Sequence, residues 1–123
     1  MTAKRILIVE DQGITAMNED QVMRDLGYQV VGIAMTGEDA IKIAGAELPD
    51  VILMDIKLAG PMDGREAAMK IREQHDIPVI FVTAYGNKEQ SKSLENRPPD
   101  GMGYVVKPFT QEELRSEIER LTG

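Results

Sequence analysis

Five short apolar runs punctuate the chain: Arg5 to Val9, Gln29 to Ala34, Val51 to Met54, Val79 to Val82 and Tyr104 to Val106. Ile, Val, Leu and Phe dominate them, and most lack polar alternation. A run without alternation reads as a strand covered on both faces, the mark of a parallel sheet. Gly32 interrupts the second run, which places that strand at a sheet edge.

Between the runs the apolar spacing turns helical. From about Ile14 to Leu26, one face carries Ala16, Met17, Val22, Met23 and Leu26, with Glu19 set among them for no evident reason. Thr36 looks like an N-cap, followed by Ala40, Ile41, Ala44 and Leu48 on one face. Asp63 to Gln74 carries Ala67, Ala68 and Ile71. Asn87 to Glu95 makes a poor amphipathic helix, because Leu94 is its only large apolar residue and Pro98-Pro99 cuts it off. Thr110-Gln111-Glu112-Glu113 is a capping box, with Phe109 and Leu114 placed as its hydrophobic staple, and Leu114, Ile118 and Leu121 form the stripe that follows. The order is β-α repeated five times. That pattern predicts an α/β, doubly wound parallel sheet with helices on both faces, and 123 residues suffice for five such units in one domain.

Composition narrows the chemistry. Cysteine is absent, so disulfides, thiolate metal sites and cysteine nucleophiles are excluded. Tryptophan is also absent, aromatics are only 4% and the net charge is −7. Such a chain lacks both the stacking platforms and the basic footprint of nucleic-acid binders. No apolar run approaches the ~20 residues of a membrane span. The first residues lead directly into a strand ending in Glu10-Asp11, unlike a signal peptide. A cytoplasmic protein without direct nucleic-acid or membrane contact is expected. The eight methionines mostly fall on apolar faces and read as core filler, and His75 reads as a surface residue at a helix end.

In a doubly wound sheet, ligands sit beyond the carboxyl ends of the strands. The first strand ends in Glu10-Asp11, the third in Asp55, the fourth in Thr83 and the fifth in Lys107-Pro108. Three carboxylates, a hydroxyl and an ammonium therefore converge on one rim. Clustered carboxylates call for a cation, and the oxygen donors favour Mg²⁺ (or Mn²⁺) over zinc. Lysine and threonine suit the oxygens of a phosphoryl group. Metal on one side and Lys/Thr on the other make a phosphoryl-transfer site, in which a carboxylate can serve as nucleophile.

With these residues in place, the chain resembles a response-regulator receiver domain of two-component signalling. The resemblance is carried by ILIVED at Ile6 to Asp11, PDVILMDIKLAGPMDG at Pro49 to Gly64, PVIFVTAY at Pro78 to Tyr85 and GYVVKPF at Gly103 to Phe109. It covers roughly Lys4 to Leu121. It implies the flavodoxin-like, CheY-like receiver fold with strand order 2-1-3-4-5. It implies Asp55 as phosphoacceptor, and Glu10, Asp11, Asp55 and the backbone carbonyl of Lys57 as holders of Mg²⁺. Thr83 and Lys107 would bind the phosphoryl oxygens, and Tyr104 would be the aromatic switch. The Lys107-Pro108 bond resembles the family's cis peptide. Lys57 and Tyr85 flank the path of hydrolytic water, and neither is a carboxylate or carboxamide, so slow hydrolysis is expected. The implied partners are a histidine kinase or histidine phosphotransfer protein and an output protein or linked output domain, with room for a phosphorylation-dependent dimer. The expected output face is formed by the Asn87–Glu95 helix, the fifth strand and the last helix. Residues 1–123 would be one receiver domain without an output domain, a signalling module that takes part in its own phosphorylation and not an enzyme in the ordinary sense.

Three other classes compete. A flavin-binding electron carrier needs a Ser/Thr/Gly-rich phosphate loop after the first strand, where this chain has Asp11-Gln12-Gly13-Ile14-Thr15. A pseudo-receiver usually lacks an acid or the lysine, and here all five positions are kept. A Mg²⁺-dependent aspartyl-phosphate hydrolase typically carries its nucleophile on the first strand. Taken singly, each rim residue has a bland explanation: a solvated strand end, a turn-starting aspartate, a surface lysine. Those explanations give no reason for all five to end strands of one rim.

Overall fold

The computed structural model describes residues 3–58, 60–83 and 101–123. Its elements are β1 (Arg5–Val9), α1 (Gly13–Asp25), β2 (Gln29–Ala34), α2 (Gly37–Glu47), β3 (Val51–Asp55), α3 (Gly64–Gln74), β4 (Val79–Thr83), β5 (Met102–Val106) and α4 (Gln111–Thr122). The expected helix at Asn87–Glu95, the Pro98-Pro99 stop and Tyr85 lie outside the described residues. All strand pairs are parallel, in the order β2-β1-β3-β4-β5. The parallel sheet is the one the apolar pattern predicts, and the strand order is the one the family resemblance implies.

Alternation along each strand builds two cores, one per sheet face. Leu7, Val9, Ile52, Met54, Val79 and Phe81 pack with Ala40, Ala44, Ala67, Ala68 and Ile71 of α2 and α3. Ile6, Ile8, Leu53, Ile80 and Val82 pack on the other face with Met23 of α1 and Leu114 and Ile118 of α4. Full burial of Leu114 and Ile118 contributes about 2 kcal/mol each. The three middle strands are buried almost throughout, which is why their sequences show no polar alternation. The edge strand β2 is half-buried or exposed along most of its length. A register shift opposite Ile6/Leu7 brings Gly32 beside Leu7. A side chain at Gly32 would come within 3.1 Å of Ile43 Cγ2, a tight contact that would require Ile43 to shift by a few tenths of an ångström.

Three helices begin on side-chain caps, two of which, Thr36 and Thr110, the sequence predicts. Thr36 Oγ1 accepts from the Asp39 N–H at 3.1 Å, and Asp63 Oδ1 from the Glu66 N–H at 2.9 Å. Thr110 and Glu113 complete the capping box that opens α4.

Several expectations need correction. β5 begins at Met102, two residues before the predicted run, because Met102 and Gly103 pair with Val79 and Ile80 although neither is β-branched or aromatic. Leu48 is not on the buried face of α2. It is the C-cap, left-handed at φ 46°, and exposed. Met17 is also exposed, since the helix turns Ala16 and Met23 inward and Met17 toward solvent. Of the seven described methionines, Met23, Met54, Met62 and Met102 lie in or against the core, as expected of most, while Met17, Met35 and Met69 are exposed.

Candidate functional site

The strand order reverses between β1 and β3, since β1 is flanked by β2 on one side and β3 on the other. A crevice opens at the carboxyl ends of such a pair. Glu10 and Asp11 follow β1, and Asp55 is the last residue of β3. Each offers a carboxylate oxygen within 4.8 Å of the others. Glu10 is buried, and its N–H donates to the Ala34 carbonyl at 2.9 Å, which ties it to the edge strand. Asp11 and Asp55 are half-buried. The Lys57 N–H donates to Asp55 Oδ1 at 3.2 Å, while the Lys57 side chain is exposed.

On the other side of the crevice stand Thr83 and Lys107. Thr83 ends β4 and is only 2% exposed, and its Oγ1 has no hydrogen-bond partner among the described residues. The Lys107 N–H donates to the Thr83 carbonyl at 2.8 Å, which sets the two residues side by side. The Lys107 ammonium lies 3.9 Å from Glu10 Oε1, at the outer limit of an ion pair. The Lys107–Pro108 peptide is cis. Tyr104 sits on β5 in register with Phe81, half-buried against the core under α2 and α3. Tyr85 is outside the described residues.

The charges here are under strain. Burial pushes Glu10 up to about 8, and Asp55 adds to this both as a hydrogen-bond partner of protonated Glu10 and as a like charge. Lys107 pulls the other way. Glu19, on α1, is pushed up to about 7, chiefly by burial, with Lys107 opposing and Asp55 adding to the rise.

The residues fit a hard divalent cation. Among the described residues Glu10 Oε2 is buried with no hydrogen-bond partner, and three carboxylates converge where no histidine or cysteine does. A cation there would favour the ionised carboxylates that burial now disfavours.

Two residues that matter here were not assigned a role from sequence. Gly64, the first residue of α3, lies so close to β3 that a side chain would strike the Asp55 carbonyl oxygen, and would lie 2.9 Å from both Asp55 C and Ile56 Cα. An Asp-Gly pair opening a helix is its only trace in the sequence. Glu19 stands out as a carboxylate on an apolar face, and the structure buries it beside Lys107.

A parallel sheet of this order with an acidic crevice at its switch point defines a CheY-like receiver fold. Residues 6–119 match the response regulator receiver domain, and the chain belongs to that family, a module of two-component signalling. It is 33% identical over 116 residues to the transcriptional regulatory protein PdtaR of Mycobacterium tuberculosis, covering 94% of this chain and 55% of that one. It is 34% identical over 119 residues to the phyllosphere-induced regulator PhyR of Methylorubrum extorquens, covering 96% of this chain and 43% of that one. The chain thus spans about half the length of these curated relatives. Among solved structures, the signal receiver domain of a modulated diguanylate cyclase from Desulfovibrio desulfuricans superposes with a TM-score of 0.85 at 32% identity, covering 98% of this chain and 94% of that one. No helix among the described residues is long and apolar enough to cross a membrane.

Proposed function

We propose that Asp55 accepts a phosphoryl group from the phosphohistidine of a histidine kinase or histidine phosphotransfer protein, and that residues 1–123 act as one receiver unit in the cytoplasm. The observation that carries this is the convergence of Asp55 with Glu10 and Asp11 on one side and Thr83 and Lys107 on the other. An Asp55 carboxylate oxygen attacks phosphorus, the O–P bond forms, and the N–P bond breaks with its electron pair returning to the imidazole. Glu10, Asp11, Asp55 and the Lys57 carbonyl would hold Mg²⁺ or Mn²⁺. When bound, it neutralises charge on the carboxylates and the phosphoryl oxygens. The Lys107 ammonium supplies a point charge to those oxygens, and the Thr83 hydroxyl, unpartnered among the described residues, supplies a donor. Drawing Thr83 toward the phosphoryl group leaves room for Tyr104 to turn inward. β5 and α4, with the segment between Thr83 and β5, then present an altered face to an output protein, a linked output domain or a second copy of the chain.

With acetyl phosphate as donor, the protein is expected to gain one phosphoryl group in the presence of Mg²⁺ and none with EDTA, read by intact mass. Asp11→Ala should weaken both metal binding and phosphorylation. Lys107→Ala should still accept phosphate but switch poorly. Modification unaffected by EDTA would contradict the role of the acidic cluster.

The phosphorylated form is expected to last minutes or longer. Lys57 carries no acceptor with which to orient a hydrolytic water, and Tyr85 is bulky enough to cover its approach. Lys57→Asn and Tyr85→Glu should speed the decay roughly tenfold to a hundredfold, measured after the donor is removed. Decay of the wild type within seconds would refute this shielding.

A further inference from the structure

Glu19 is unused by the phosphorylation chemistry above, yet the fold places it at considerable cost. It lies three residues after Ala16 and four before Met23, both buried, so the helix turns it inward with them. Only 6% of its surface is exposed, and among the described residues it makes no hydrogen bond or ion pair. A buried carboxylate without a partner is expensive and calls for an account. Glu19 lines a cleft of about 570 Å³ between α1 and the connection from β5 to α4. Val22, Pro108 and Phe109 supply apolar walls, and Lys107 enters the same space. Apolar walls leave a charge interaction poorly screened. The positive charge of Lys107 is accordingly felt at Glu19 as well as at Glu10.

Lys107 thus stands between two carboxylates, neither of which it grips. Its nearest contact to Glu10 is 3.9 Å, and no ion pair joins it to Glu19. Glu10 belongs to the trio whose oxygens fit a cation. With Glu10 so engaged, Glu19 is the carboxylate left to face the lysine. An ammonium is a point charge with three donors on a flexible stem, so it can exchange one anion for another by rotation of its side chain.

We propose that Glu19 is a positioning residue for Lys107: in the unphosphorylated chain its carboxylate draws the ammonium toward α1, and a phosphoryl group on Asp55 must win the ammonium from it. This rests on the reading of Asp55 as phosphoacceptor. With the cation trio engaged and Asp55 unphosphorylated, Lys107 would link the end of β5 to α1. In the phosphorylated state it links β5 to the end of β3. Glu19 therefore sets the bias of the switch without touching the phosphoryl group.

The test is the affinity for beryllofluoride, a phosphoryl mimic, with Mg²⁺ present, in the wild type, Glu19→Gln, Lys107→Ala and the double variant. Urea unfolding of each variant confirms that it is folded. Glu19→Gln should bind the mimic about fivefold to tenfold more tightly than wild type, and the change should shrink to about twofold or less in the Lys107→Ala background. Glu19→Leu should act as Glu19→Gln does, because the effect lies in the charge. An equal gain in both lysine backgrounds would reduce Glu19 to general repulsion and overturn the proposal. So would no gain, or a gain confined to Glu19→Leu. If the wild type binds no beryllofluoride at all, the phosphoacceptor reading itself fails, and the two failures are thereby told apart.

Discussion

Gly64→Ala is expected to lose about 3 kcal/mol of stability and, where still folded, to accept phosphate on the order of a hundredfold more slowly. The Gly64 N–H donates to the Ile56 carbonyl at 2.8 Å, which pins the start of α3 to the end of β3. All three atoms nearest the added methyl group are main chain, two from Asp55 and one from Ile56. No side chain can rotate away to make room, so either α3 or the Asp55–Ile56 segment must shift. A shift of α3 disturbs the packing of Ala67, Ala68 and Ile71. A shift of β3 moves the Asp55 carboxylate relative to Thr83 and Lys107. Urea unfolding and the rate of phosphorylation measure the two costs separately. A variant unchanged in both would show that the close approach is not required.

Glu19→Leu is expected to stabilise the protein by about 3 kcal/mol at pH 8.5 in the absence of divalent cations, relative to its effect near pH 4.5. Glu19 is raised from the model-peptide value of 4.5 to about 7, first by burial. The folded chain therefore holds this proton more tightly than the unfolded chain. The stability that the neutral carboxyl allows is complete below about 4.5 and is lost as the pH climbs through 7. Leucine has no such proton and escapes the loss. The advantage of the variant should grow between pH 5 and 8 and then level off. Urea unfolding across that range reads it, and an advantage independent of pH would contradict the assignment.

Much of the fold was readable from the chain because the middle strands are covered on both faces and the helices carry their own start signals. β1 and β2 match their predicted runs residue for residue. The rim was readable for a related reason: each candidate residue directly follows or ends an apolar run, so the strand end and the functional group are one signal. What escaped depends on contacts across the fold. Periodicity could not tell that Leu48 falls just past the last turn of α2, or that the buried stripe of α1 is too narrow to include Met17, about 100° round the helix from Ala16. Gly64 is constrained by the main chain of another element, which leaves no pattern along its own. Glu19 was visible as an anomaly, but its meaning required knowing that Lys107 enters the same cleft.

The central claim is that Asp55 carries the phosphoryl group. The most direct measurement is to phosphorylate the protein with acetyl phosphate and Mg²⁺, trap the acyl phosphate by borohydride reduction, and locate the modified residue by peptide mass spectrometry. The proposed function predicts a single modification at Asp55, absent from Asp55→Asn. Modification at another residue, or undiminished modification of Asp55→Asn, would contradict it.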